Sequence, residues 1–140
     1  MSAVVVDACV ALAWCFPDEA SEYAERVLVA LDGQTVLVPA VWALEVANAV
    51  LVGERAKRLG QPEIRRFIAL IESLPPVQDV QAAGEHVSNV LPLARAYGLS
   101  AYDAAYLELS MRRGAALATL DGKLRRAAAR AGVKIFAGAP

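Results

Sequence analysis

Val4-Val5-Val6 is an unbroken apolar run closed by a lone acid, Asp7. No polar residue alternates within it. It therefore predicts a strand buried on both faces, which is the habit of parallel sheets. The same pattern returns at Val36-Leu37-Val38, closed by Pro39, and more weakly at 77–80, 116–119 and 133–136. Between these runs lie stretches of helical period at about 8–15, 18–32, 40–58, 62–73, 81–97, 101–113 and 122–131. Pro62 suits a first helical turn, and Gly98, Gly114 and Gly132 stand where helices end. Strands alternating with helices predict a three-layer α/β/α fold around a central, mostly parallel sheet of about five strands. Residues 1–140 read as a single domain. In such sheets a ligand site lies beyond the carboxyl ends of the strands.

Composition removes several classes. With 57% of the chain apolar, disorder is excluded. The longest charge-free stretch, 33–44, is twelve residues and contains Pro39. A membrane span needs about 20 apolar residues, so no membrane role is expected. The net charge of −1 argues against a general polyelectrolyte binder. Cys9 and Cys15 form no CxxC, and His86 is the only histidine, so the usual Cys/His zinc sites are excluded. His86 has no motif around it and reads as an ordinary helix residue. Two cysteines and no basic leader at the start fit a cytoplasmic protein.

The acids then become the informative residues. Asp18, Glu19, Glu22 and Glu25 fit the solvated face of the second helix, with Asp18 as its cap. Four others sit in stranger places. Asp7 is the sole charge in residues 1–17 and directly follows the first strand. Glu45 and Asn48 are the strongly polar residues of 40–53, a helix apolar nearly all round and so expected to be buried. Asp103 follows Ser100 by three, as in a capping box. Asp121 precedes Gly122 after the 116–119 run. Each has a plain alternative: Asp7, Asp103 and Asp121 as helix caps or turns, Glu45 as an exposed residue of a dimer-forming helix.

A doubly wound sheet brings all four to one end. Carboxylates gathered that closely cannot all stay ionised unaided; they share protons or bind a hard cation. With oxygen donors alone, that cation is Mg²⁺ or Mn²⁺. Such a site suits phosphodiester hydrolysis. A haloacid-dehalogenase-type phosphatase would want a second Asp where Cys9 stands. A response-regulator receiver would want an acidic pair where Asp7 stands alone.

Four segments carry a more specific signal: 4–10 (Val-Val-Val-Asp-Ala-Cys-Val), 38–49 around Glu45, 97–106 (Tyr-Gly-Leu-Ser-Ala-Tyr-Asp-Ala-Ala-Tyr) and 117–121 (Leu-Ala-Thr-Leu-Asp). In this order and spacing they resemble the PIN-domain family, specifically its VapC-type toxin ribonucleases, over essentially the whole chain. The resemblance implies an acidic quartet of Asp7, Glu45, Asp103 and Asp121, with Asp7 and Asp103 as Mg²⁺ ligands. It implies supporting roles for Thr119, beside the fourth acid, and Asn48, beside the second. Position 9 is Cys where the family often has Ser or Thr. The resemblance also implies a cognate antitoxin that holds the toxin inactive, a homodimer, and an RNA substrate.

Between Arg112 and Lys134 seven basic residues face one acid, Asp121. Arg112, Arg113, Lys123 and Arg125 are the candidate contacts to the RNA backbone, since phosphate contacts supply affinity with little base specificity. The expected activity is a Mg²⁺-dependent endoribonuclease, toxin of a type II toxin–antitoxin module. The alternatives are a catalytically silent PIN-like binding module and a structure-specific DNA nuclease.

Overall fold

The computed structural model describes residues 2–138. Four strands form one parallel sheet: β1 (Ala3–Val6), β2 (Thr35–Pro39), β3 (Val77–Asp79) and β4 (Ala116–Ala118), in the order β3-β2-β1-β4. Val5 pairs with Leu37 on one side and with Leu117 on the other. The two central strands are the unbroken Val/Leu runs, buried on both faces as such runs must be. Seven α-helices surround them: α1 (Ala8–Cys15), α2 (Glu22–Ala30), α3 (Trp42–Arg55), α4 (Gln61–Ser73), α5 (Ala83–Tyr97), α6 (Ala101–Arg113) and α7 (Gly122–Arg130). The architecture is three-layer α/β/α. Helix α6 packs on β1, β2 and β4 and against α5 and α7, while α1 packs on α2, α3 and α4.

Four expectations are corrected. The sheet has four strands, not five. The 133–136 run reaches β4 only through one bridge, Leu117 with Ile135, because β4 is three residues long. The expected helix 18–32 is broken: Pro17–Glu19 is a single 3-10 turn, and Ser21 caps α2 by accepting from the Ala24 amide at 3.3 Å. Asp18 is therefore not the cap; Arg58 binds it, at 3.0 Å, together with Glu19 at 2.8 Å. The long helix 40–58 is trimmed to Trp42–Arg55. Finally, α3 is not buried all round. Leu44 is 74% exposed, and Leu51 and Val52 are exposed with it. Helical period turns these residues away from the Trp42–Val46–Gly53 face that meets the core.

Gly98 and Gly114 end α5 and α6 in the left-handed conformation, at φ 63° and 61°. There their lack of a Cβ is required. Gly98 directly precedes the Leu99-Ser100 entry into α6, so this turn aims the helix that bears Asp103.

Candidate active site

All four acids lie at the carboxyl end of the sheet, each placed by a strand end or a first helical turn. Asp7 follows β1, and its amide continues the sheet by donating to the Ala118 carbonyl at 2.9 Å. It occupies the N-cap position of α1, where the Cys9 amide helps to hold its carboxyl down but no full capping hydrogen bond forms. Only 6% exposed, its carboxylate is held by two donors on the same oxygen: Thr119 Oγ1 to Oδ2 at 2.7 Å and Cys9 Sγ to Oδ2 at 3.1 Å.

Asp121 is the N-cap of α7, with Oδ1 accepting from the amides of Lys123 (2.9 Å) and Leu124 (3.3 Å). Its own amide donates to Thr119 Oγ1 at 3.0 Å. Thr119, fully buried, thus joins the first and fourth acids. Asp103 sits in the first turn of α6, where Ser100 Oγ accepts from its amide at 3.1 Å. Glu45 sits in the first turn of α3, half-buried, with Oε1 accepting from the Tyr106 hydroxyl at 2.5 Å. First turns put these acids near the positive ends of their helices.

Their charges act on one another. Burial pushes the Asp7 carboxyl above its usual range, against the hydrogen bonds from Thr119 and Cys9, and the charge of Asp121 adds to the rise. Burial likewise raises Glu45, opposed by the Tyr106 bond and reinforced by Asp7 and Asp103. Asp103 rises through burial, then through Asp121 and Asp7, with Ser100 and Lys123 pulling it down. Negative charge concentrated this way is relieved by protons or by a cation.

The donor set fits a hard divalent ion. It is all oxygen, and Asp7 keeps Oδ1 clear of its two bonds. Among the described residues no three such side chains close directly on one ion. A concavity of about 850 Å³ lies elsewhere, lined by Ser2, Gln34, Arg113 and Lys134 and by none of the four acids.

The other sequence candidates divide. Lys123 is exposed beside Asp103. Asn48 is exposed one turn beyond Glu45. Arg125 turns inward: its Nε donates to the Thr119 carbonyl at 2.8 Å and its guanidinium lies over the Tyr23 ring at 4.4 Å. Arg112 and Arg113 are engaged in ion pairs: Arg112 with Asp79 at 2.5 Å and Glu108 at 2.8 Å, Arg113 with Asp79 at 3.0 Å. Two site residues went unassigned in the sequence reading. The Cys9 thiol bonds Asp7, and Tyr106 bonds Glu45. The available signal for Tyr106 was its spacing of three from Asp103, which puts both on one face of α6.

Comparison with known proteins bears on the family and the fold. The PIN domain family model matches residues 4–130. Ribonuclease VapC3 of Pyrobaculum aerophilum is 31% identical over 121 residues, covering 86% of this chain and 91% of that protein. The crystal structure of PAE2754 from the same organism superposes with a TM-score of 0.67 at 20% identity, covering 90% of this chain and 79% of that one. FitAcB from Neisseria gonorrhoeae superposes at 0.57 and 19% identity, over 95% and 96% of the two chains.

Proposed function

The chain belongs to the PIN-domain family and is of the VapC type, and from that premise we propose that it is a Mg²⁺-dependent endoribonuclease, the toxin of a type II toxin–antitoxin module. One observation carries the reading: four carboxylates on four separate elements gather at the carboxyl end of the sheet, and burial together with the neighbouring acid charges raises Asp7, Glu45 and Asp103. Capping explains only part of Asp121 and does not explain the burial of Asp7.

Asp7 and Asp103 are the residues that hold Mg²⁺, or Mn²⁺ in its place, with Glu45 and Asp121 completing the acidic surround. When bound, the ion offsets charge on the phosphoryl oxygens and makes water a better nucleophile at neutral pH. The chain's own part is positional. Thr119 and Cys9 fix Asp7, the α7 amides fix Asp121, and Lys123 offers a cation to the RNA backbone beside Asp103. Arg112, Arg113 and Arg125 complete this basic rim, but Asp79, Glu108 and the Thr119 carbonyl engage them, so Lys123 is the residue proposed to contact RNA. Water attacks phosphorus, the bond to the 3′ oxygen breaks, and the products carry a 5′-phosphate and a 3′-hydroxyl. Single-stranded or looped RNA is the substrate expected, since its bases are accessible.

The partners expected are a second copy of the chain and a cognate antitoxin. An apolar groove of about 450 Å³, lined by Val41, Leu44, Val87, Val90, Leu91 and Tyr102, runs beside Glu45 and Asp103. Leu51, Val52 and Ile68 are exposed further along α3 and α4. Clustered exposed apolar side chains are the usual mark of such surfaces. No helix of the described residues is long and apolar enough to cross a membrane.

The test is cleavage of RNA with Mg²⁺ by the wild type, Asp7→Asn and Asp103→Asn, with DNA of the same sequence alongside. Loss of RNA cleavage in both variants is expected. Undiminished cleavage would overturn the site, and preference for DNA would overturn the substrate.

A further inference from the structure

We propose that Tyr106 is a positioning residue: its hydroxyl sets the Glu45 carboxylate for divalent-cation binding by the acidic site. The inference rests on the reading of the four acids as a metal site. Tyr106 is wholly buried on α6, yet its hydroxyl reaches two other elements. It donates to Glu45 Oε1 on α3 at 2.5 Å and accepts from the Ala8 amide, directly after Asp7, at 3.4 Å. It stands three residues after Asp103, so it leaves α6 on the face that carries the third acid. One oxygen atom therefore links the segments that bear Asp7, Glu45 and Asp103.

The chemistry of the group makes this link directional. A phenol has one proton to donate. That proton goes to Glu45 Oε1. Glu45 needs such a tether. A glutamate has several torsions to immobilise, and its neighbours Leu44, Ala47 and Asn48 are exposed, so the outward side of α3 holds it by no packing. With Oε1 accepting from Tyr106, Oε2 is the oxygen left for a cation. A phenylalanine would fill the same volume; the tyrosine adds one donor, and that donor is spent on Glu45.

The experiment is a double-mutant cycle read by Mg²⁺ titration calorimetry on the RNA-free protein, using Tyr106→Phe, Glu45→Gln and the double variant. Removing a group that orients a metal ligand typically costs roughly 10–100-fold in metal affinity. That loss is expected for Tyr106→Phe. In the Glu45→Gln background the same substitution should change affinity by less than about two-fold, since a group acting through Glu45 has nothing left to act on. In RNA cleavage, kcat should fall while KM holds. Wild-type Mg²⁺ affinity in Tyr106→Phe, or losses that multiply in the double variant, would overturn the inference. Should Tyr106→Phe fail to fold, Glu45→Asp takes its place: it keeps the charge but withdraws it from the hydroxyl by one methylene. It should bind Mg²⁺ as weakly as Glu45→Gln, and wild-type affinity there overturns the inference. A wild type that binds no Mg²⁺ or Mn²⁺ sinks the proposed function as well, whereas binding unaffected by Tyr106→Phe sinks only the role of Tyr106.

Discussion

Thr119 Oγ1 donates to Asp7 Oδ2 at 2.7 Å, joining the ends of the adjacent strands β1 and β4 across 112 residues of chain. The same oxygen accepts from the Asp121 amide. One hydroxyl thus sets both the buried Asp7 and the turn that presents the half-buried Asp121. Arg125 holds the Thr119 carbonyl from the other side, so the residue is fixed at backbone and side chain alike.

Thr119→Val keeps the shape and deletes the hydroxyl. Asp7 loses a donor where no water replaces it, at a cost of about 1–3 kcal/mol. RNA cleavage should fall by roughly 10–100-fold, as when a metal ligand loses its partner. Thr119→Ser should restore most of both. Urea unfolding and cleavage rates on the three proteins check this; a Thr119→Val protein as stable and active as the wild type contradicts it.

Lys123 and Arg112 should behave oppositely, although both belong to the basic rim. Lys123 is exposed beside Asp103, so Lys123→Ala should leave the melting temperature unchanged and raise KM for RNA. Its salt slope should shrink by about one. Arg112 neutralises Glu108 and Asp79, both nearly buried, and its hydrogen bond is the main cause of the low carboxyl range of Asp79. Arg112→Ala leaves Glu108 unpaired and Asp79 with Arg113 alone. Breaking a buried pair costs about 3–5 kcal/mol; Arg112 is itself partly exposed, and about 2–3 kcal/mol is expected here. If Arg112→Ala instead melts like the wild type while KM rises, the arginine is an RNA contact.

The sheet centre was legible because Val4–Val6 and Val36–Val38 have no reason to be apolar throughout unless both faces are covered. The placement of the quartet followed from that, since Asp7 and Asp121 must sit at strand ends. Three features were not legible, each for a physical reason. The break before α2 depends on Ser21 rather than Asp18 taking the cap, and both are good caps. The outward turn of Leu44, Leu51 and Val52 looks in sequence like burial, because a core face and a partner face have the same composition. The Tyr106–Glu45 bond spans 61 residues, a distance no local pattern encodes.

Gly53 is the point where α3 touches the turn after α1. A Cβ there would stand 2.5 Å and 2.6 Å from ring carbons of Phe16. The Arg58 guanidinium lies over the same ring, 4.2 Å from its centroid. Gly→Ala inside a helix normally gains up to about 1 kcal/mol in propensity. Here the overpacking cost of about 1–3 kcal/mol should win, so Gly53→Ala should melt below the wild type in a calorimetric scan. An increase in melting temperature would show that Phe16 moves aside freely.

The pH dependence of stability should run against the usual direction for carboxylates. Asp7, Glu45 and Asp103 have folded values raised from 3.8, 4.5 and 3.8. Between those ordinary values and the raised ones, the folded chain binds more protons than the unfolded chain. Stability from these acids is therefore fully present below the ordinary values and is lost as pH rises through the raised ones. Asp79 works the other way: its value is lowered from 3.8, so its contribution is lost only as pH falls below that. The metal-free protein should accordingly be more stable at about pH 5 than at about pH 8. Mg²⁺ should reverse the loss, because ionised carboxylates are what it binds. At 100 times its Kd, a ligand specific for the folded state adds about 2.7 kcal/mol. The gain should appear near pH 8 and shrink as pH falls through the raised values, where protons occupy the site instead. Asp7→Asn should reduce the pH slope and the gain together, since the buried carboxylate of Asp7 contributes to both. Melting curves across this range, with and without Mg²⁺, decide the matter: stability that climbs from pH 5 to 8 without metal would mean that burial and neighbouring charge do not raise these acids.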